Sequence, residues 1–258
     1  MESVEDSVWR GAVALCLERE GLLRPFYAVV PRVSYLSAVV PSALRQFQEE
    51  VGEELEAGDI AAGDVVFSKS QWQSLPLGVL FDSCGSCLPW ALKLVRTTGS
   101  ASIASASSSF FHSLKQATHL ETGTARPALL QPRVDQELCW EAIIKGDRSA
   151  YVSRELASPT DERLRHVPLR IIIPPCRSLQ LPHAAYDAEG KRSLRKAVFC
   201  ETLLEATESF LASAAPDSFD FIAHGITLPH DLPLIDAWKA LRHPDHFLYL
   251  TVRRRTTS

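Results

Sequence analysis

Cys84 and Cys87 stand in a C-x-x-C spacing, which can hold half a zinc site or a redox pair, but no second such pair completes four ligands. They fall in a short apolar stretch, so both are expected as buried free thiols. His224, His230, His243 and His246 cluster in sequence, yet His243-Pro-Asp-His246 breaks the i, i+4 spacing of a metal-binding helix. Gly190-Lys191-Arg192-Ser193 has the ending of a phosphate loop, with Ala185 where the opening glycine is required. No Gly-x-Ser-x-Gly elbow occurs. Cys200 paired with one of the histidines would be a cysteine nucleophile, but nothing in the sequence fixes their geometry. The expectation is a chain with no catalytic residue, no metal and no cofactor. What remains reactive is a short set of lysines: Lys69, Lys93, Lys115, Lys145, Lys191, Lys196 and Lys239.

The elements that must carry these residues come as a pattern used twice. Leu75-Pro76-Leu77 is followed by Phe81, Trp90 and Val95-Arg96, and Leu232-Pro233-Leu234 is followed at the same offsets by Trp238, Phe247 and Val252-Arg253. Each copy predicts a proline-fixed turn, a short helix ending on a buried aromatic, then a strand. Before the first copy, Gly11–Leu17 and Phe26–Val33 predict strands, Leu36–Val51 a helix and Val65–Phe67 a third strand. Trp90–Val95 is the fourth. Before the second copy, Val167–Ile173 and Ser178–Leu181 predict strands, and Ser193–Leu211 a long helix with Phe199, Leu203, Ala206 and Phe210 on one stripe. Phe219–Ile226 and Phe247–Val252 complete that half. Two strands, a helix and two more strands are the order of a β-grasp, or ubiquitin-like, domain. The expected fold class is therefore α+β, two ubiquitin-like β-grasp domains separated by a helical domain.

Thr97–Ser109 is mostly Thr, Ser, Ala and Gly and predicts a flexible linker. Ser108 or Ser109 can then cap a helix carrying Phe110, Phe111, Leu114 and Ala117 on one side. Glu121–Pro132 is punctuated as a loop, Asp135 can cap a helix that ends at Gly146, and a last helix spans Arg148–Leu156. The domains expected are 1–97, a linker 98–109, a helix-rich bridge 110–160 and a second ubiquitin-like domain 165–258. With 258 residues and 46% hydrophobic content, two or three packed units are possible. No apolar run reaches membrane-spanning length and no signal peptide is present, which predicts a cytoplasmic protein. A net charge of -4 argues against nucleic-acid binding, and the basic run Arg253-Arg254-Arg255 predicts a solvated tail.

Six ordered motifs then carry a resemblance. Val8-Trp9-x-Gly11, Pro31-Arg32-Val33-Ser34-Tyr35-Leu36, Leu77-Gly78-Val79-Leu80-Phe81-Asp82, Leu88-Pro89-Trp90, His224-Gly225-Ile226 and Pro244-Asp245-x-Phe247-Leu248 together resemble the autophagy protein 5 family. Val167-Pro168-Leu169-Arg170-Ile171 looks like that family's entry strand to the second module. The resemblance spans nearly the whole chain. It implies a protein that catalyses nothing alone. The ubiquitin-like autophagy protein 12 is joined to one lysine, by way of the E1-like autophagy protein 7 and the E2-like autophagy protein 10. The coiled-coil autophagy protein 16 binds non-covalently. The assembly acts like an E3, working with the E2-like autophagy protein 3 to promote lipidation of autophagy protein 8. It implies peripheral placement at the phagophore membrane of the preautophagosomal structure. The family's acceptor motif corresponds here to Phe110-Phe111-His112-Ser113-Leu114-Lys115-Gln116-Ala117, which implies Lys115 as the acceptor.

Taken from the helix alone, Lys115 lies at the edge of the stripe formed by Phe111, Leu114 and Thr118, able to send its amine into water. A lysine of ordinary pKa near 10.4 is almost wholly protonated at about pH 7, so conjugation needs a thioester donor and an enzyme to desolvate the amine. The resemblance also implies a groove for the autophagy protein 16 helix, with Trp9, Arg32 and Tyr35 nearest to it. Arg32, a charge on an otherwise apolar strand, wants an acidic partner; Trp9 and Tyr35 would equally serve a core. The competing readings are a ubiquitin-like adaptor that pairs non-covalently or acts outside autophagy, and a cysteine enzyme using Cys200 or Cys84.

Overall fold

Helix α1, Val4–Arg10, opens the first module, where Ser3 and Asp6 satisfy each other's orphaned amides in a capping box. Strands β1 (Ala12–Arg19) and β2 (Phe26–Pro31) pair antiparallel. A 3-10 turn at Leu36–Ala38 leads into α2, Val40–Val51, which stops where Gly52 takes a left-handed φ of 75°. Beyond it come β3 (Ile60–Ala62), β4 (Val65–Phe67), α3 (Lys69–Ser74), α4 (Leu77–Cys84) and β5 (Trp90–Leu94). The sheet order is β2-β1-β5-β3-β4, with β1 and β5 parallel and the other pairs antiparallel.

Among the described residues four helices follow: α5 (Ala106–Thr122), α6 (Arg126–Leu130), α7 (Arg133–Lys145) and α8 (Arg148–Val152). The second module then repeats the first. It contains β6 (Val167–Ile173), β7 (Arg177–His183), a small hairpin of β8 (Tyr186–Asp187) and β9 (Gly190–Lys191), and α9 (Leu194–Lys196). It continues with β10 (Phe219–Ala223), β11 (Ile226–Leu228), α10 (Leu234–Leu241) and β12 (Leu248–Arg254). Its order, β7-β6-β12-β10-β11, matches the first sheet strand for strand, again with the first and last strands parallel. Each Leu-Pro-Leu turn opens a helix of 8 residues. The carbonyls of Pro76 and Pro233 accept the first helical amides in both copies. This is the α+β fold of two ubiquitin-like domains with helices between them in the chain.

The computed structural model describes residues 3–84, 87–95, 105–157, 159–160, 164–174, 177–188, 190–198 and 218–255. The expected stripe of Phe199, Leu203, Ala206 and Phe210 lies outside these residues, as does most of the expected linker. Several expectations need correction. The single strands expected around Val65 and over Phe219–Ile226 are hairpins. In the second of these the turn is His224-Gly225, at φ 51° and 78°. Helix α5 begins before Ser108, with the Ser105 hydroxyl accepting from the Ser108 amide. Part of the expected loop 121–132 is helix α6, which starts at Arg126-Pro127.

Two compact units result, Met1–Phe110 with Glu137–Ser153, and Phe111–Gln136 with Arg154–Ser258. The bridge expected at 110–160 is thus divided between them. In the first unit Phe47, Phe67 and Trp90 fill the core; in the second Phe219, Phe221, Trp238 and Phe247 do so. Phe81 was expected buried but is only partly so. It stands edge-on to Trp90 with 5.5 Å between ring centroids. Trp238 also donates its Nε1 hydrogen to the His246 carbonyl at 2.8 Å. Truncating Trp90 or Trp238 to Ala should each cost about 3 to 5 kcal/mol, with the loss confined mainly to the module concerned. Hydrogen exchange resolved by module, alongside chemical denaturation, checks both parts.

Candidate functional site

Helix α5 presents one continuous packed face. Phe110, Ser113, Leu114, Ala117, Thr118 and Glu121 are all buried, at the i, i+3, i+4 and i+7 recurrence of an amphipathic helix. Thr118 returns its hydroxyl to the Leu114 carbonyl at 2.7 Å, so its polarity is absorbed within the helix. Lys115 sits on the flank of this face and is partly exposed, as is Phe111. His112 and Gln116 lie beside it, joined by a 3.1 Å hydrogen bond.

The second sheet holds α5 by a partly buried polar network. Arg170 is the one charged residue of the otherwise apolar strand β6. Its Nη1 donates to Ser113 Oγ and Tyr249 Oη, both at 2.9 Å, and its Nη2 to Gln116 Oε1 at 2.8 Å. Its Nε donates to Gln180 Oε1 at 2.9 Å. The guanidinium lies over the Phe247 ring, 3.9 Å from the centroid. Tyr249 passes its own hydrogen to Asp245 Oδ2 at 2.6 Å. Lower on the helix, Glu121 meets His246 Nδ1 at 2.9 Å, and the Leu120 and Glu121 carbonyls accept from His166 and Arg165 amides. Gly123, at φ 80°, leaves the space that the Arg165 guanidinium occupies.

Burial works against ionising Asp245, but the hydrogen bond and charge of His243, the charge of Arg170 and the Tyr249 hydroxyl outweigh it. Its carboxyl is held below the ordinary range. Burial, then the Asp245 charge, pushes the Tyr249 phenol upward, which keeps it a hydrogen donor.

In the first unit Arg32, one of the three residues expected near a partner groove, is nearly inaccessible. Its acidic partner belongs to the same module: Nη2 meets Asp82 Oδ1 at 2.5 Å and the Gly78 carbonyl at 3.2 Å. Gly11 and Gly78 make room for it, since a Cβ on either would come within 3.0 Å of the arginine. Tyr35 is fully buried, its ring 5.2 Å from that of Trp140. Trp9 keeps a partly exposed edge and packs on Tyr151 at 5.0 Å. Helix α1, which carries it, is tied to α8 by Arg148, paired with Glu5 and with Asp6 at 2.9 Å.

The other reactive groups are placed singly. Cys84 is partly exposed and Cys87 exposed, which corrects the expectation of buried thiols; among the described residues the buried cysteines are Cys16 and Cys139. Cys87 lies beyond the end of α4, where no helix face covers it. Among the described residues no group of His, Cys, Asp and Glu is arranged to hold a metal ion. His224 and His230 bond the carbonyls of Leu241 and Phe219 at 2.9 Å. Lys191, in the stretch with the ending of a phosphate loop, pairs with Asp236 at 2.8 Å, and Ser193 caps α9. Cys200 lies outside the described residues. No described helix is long and apolar enough to cross a membrane.

Tandem ubiquitin-like modules with helices between them in the chain define the class of fold to which the protein belongs. Family models for "Autophagy protein ATG5" match along the chain: the UblA domain at residues 8–96, the alpha-helical bundle region at 103–154 and the UblB domain at 166–252. The chain belongs to the autophagy protein 5 family, and its role lies in autophagy. It is 27% identical over 242 residues to autophagy-related protein 5 of Gibberella zeae, covering 88% of this chain and 89% of that one. To autophagy protein 5 of Sclerotinia sclerotiorum it is 24% identical, over 96% of this chain and 98% of the relative. The crystal structure of Kluyveromyces marxianus Atg5 shares the fold at a TM-score of 0.79 and 18% identity, covering 98% of this chain and 100% of that one.

Two outcomes follow from these contacts. Arg32→Glu places a carboxylate against buried Asp82 and should destabilise the first module by about 3 to 5 kcal/mol in chemical denaturation. Asp245, with its folded pKa depressed, contributes stability above the unfolded carboxylate range that is lost as pH falls through the lower folded value. Asp245→Asn should therefore cost most near neutral pH, and its deficit against the parent should shrink below about pH 4. Urea unfolding across that range reads the difference.

Proposed function

We propose that this chain is the scaffold of an autophagy conjugation complex, joined through Lys115 to the ubiquitin-like autophagy protein 12 and bound non-covalently to autophagy protein 16. The complex acts like an E3 in the lipidation of autophagy protein 8 at the forming autophagosome. The E1-like autophagy protein 7 and E2-like autophagy protein 10 charge and deliver the donor, and the E2-like autophagy protein 3 works through the finished complex. The protein acts in the cytoplasm and, peripherally, at the phagophore membrane.

The observation that supports this reading is the position of Lys115. Its helix is packed along the neighbouring face, while the lysine side chain is partly exposed and has no hydrogen bond or ion pair among the described residues. An amine so placed can be reached and desolvated by a donor enzyme without unfolding its helix. In transfer, the amine nitrogen attacks the thioester carbonyl, the donor enzyme's thiolate leaves, and the amine's proton passes to solvent or a base of that enzyme, leaving an isopeptide bond. For autophagy protein 16, Trp9 offers a partly exposed aromatic edge, with Arg32 and Tyr35 buried in the same unit, Arg32 on Asp82 and Tyr35 against Trp140.

Lys115→Arg keeps the positive charge but removes the nucleophilic amine. The adduct heavier by one ubiquitin-like unit should disappear and autophagy protein 8 lipidation collapse, while autophagy protein 16 still binds. Arg at each of the other six lysines should leave the adduct intact. Mass spectrometry placing the branched peptide on one of those six would overturn the assignment.

A further inference from the structure

Resting on the reading of Lys115 as an acceptor, we propose that Arg170 is a positioning residue for conjugation: its fork indexes helix α5 to the second sheet and thereby fixes the direction in which Lys115 presents its amine.

Two of the fork's hydrogen bonds reach the helix at Ser113 and Gln116, one turn apart. The apolar face of the helix tolerates small rolls and slides; two directional contacts separated by three residues narrow both its rotation and its position along the axis. Consecutive helical side chains are about 100° apart, so setting Gln116 sets its neighbour Lys115. The fork itself is held from the sheet side. Its other hydrogen bonds go to Gln180 and Tyr249 on the sheet, Phe247 supports its plane, and Tyr249 is locked by buried Asp245. The indexing extends across Gln116 to the lysine's own face. Gln116 accepts from Arg170 through Oε1, so its amide nitrogen is the donor to His112 Nε2, one turn before Lys115.

Stability alone does not call for this arrangement. A half-buried arginine carries a desolvation cost, and an apolar side chain of similar size would pack on Phe247 without it. What an apolar side chain lacks is direction, and direction is what an acceptor amine needs against a thioester held by another protein.

The test is conjugation reconstituted with full-length protein, the E1-like and E2-like enzymes and the ubiquitin-like donor. Three variants are compared with the parent: Arg170→Met, Arg170→Lys, and the helix-side double variant Ser113→Ala/Gln116→Ala. Rates are taken per folded molecule, with circular dichroism and autophagy protein 16 binding as folding checks. Arg170→Met and the double variant should each lower kcat for adduct formation about tenfold to a hundredfold, with KM for the charged donor enzyme little changed. Arg170→Lys, which keeps the charge but not the planar fork, should restore only part of it. Combining Arg170→Met with the double variant should add little, because both remove the same contacts. Should Arg170→Met fail to fold, the double variant decides, since it leaves the sheet intact. Parental kcat in the double variant overturns the proposal even if Lys115→Arg abolishes the adduct. An adduct that survives Lys115→Arg overturns the underlying reading instead.

Discussion

In each module the first strand lies parallel to the last, and a parallel pair can be joined only by chain that leaves the sheet and returns. That pairing dictates the intervening helix, the short hairpins at the far side of the sheet and the turn that sends the chain back. Leu-Pro-Leu supplies the return: proline fixes φ as the helix begins, and the leucine after it, Leu77 or Leu234, is fully buried in the core. The repeat in sequence is therefore a repeat of one geometric problem, solved the same way at both ends of the chain.

The two copies differ in what covers the outer face of the sheet. Strand β5 alternates, with Trp90, Leu92 and Leu94 buried and Ala91 and Lys93 exposed, as suits a sheet open on one side. Strand β12 does not alternate. Leu248, Leu250 and Val252 are buried on one face, and Tyr249 and Thr251 on the other. A sheet buried on both faces must satisfy every polar group it carries, and this is where Arg170, Tyr249, Asp245, His246 and Glu121 come together. The network carries backbone strain as well. His246, at φ 68°, is held in a conformation that side chains with a Cβ seldom adopt. Its carbonyl accepts from Trp238 and its ring meets Glu121, so contacts on both sides fix it there.

The parts of this fold legible in the sequence were those written in strong local signals: proline at a fixed offset, β-branched runs and a glycine at the end of α7. Strand β3 was not legible because Ile60-Ala61-Ala62 is three residues long and mostly small. The β10–β11 hairpin hid its turn in His224-Gly225, where one residue at positive φ is a histidine. The expectation of buried thiols fails because α4 ends at Cys84, so the apolar stretch around Cys87 does not continue as a packed helix. Lys115 could be placed on the edge of its helix from periodicity, but its distinction from six other lysines came only through resemblance. The network beside it was out of reach. Its members sit as far apart as Ser113 and Asp245, and only a lone arginine within Val167–Ile173 hinted that something polar had to meet it.

Two arginines show how the same side chain serves different ends. Arg32 and Arg170 each leave a strand-rich region with the guanidinium over an aromatic ring, Phe81 in one unit and Phe247 in the other. Arg32 turns inward to the carboxylate of Asp82, so its charge is cancelled at contact and its hydrogen bonds close within one module. The hydrogen bonds of Arg170 go to four uncharged side chains, with Asp245 one step behind through Tyr249. An ion pair such as the first resists separation but says little about orientation beyond its two partners. A planar fork shared among four acceptors, two on a helix and two on a sheet, fixes the relative rotation of helix and sheet, because each bond constrains an angle as well as a distance. The first arginine therefore fastens a core, and the second sets the register between a helix and a sheet on which the direction of a neighbouring amine depends.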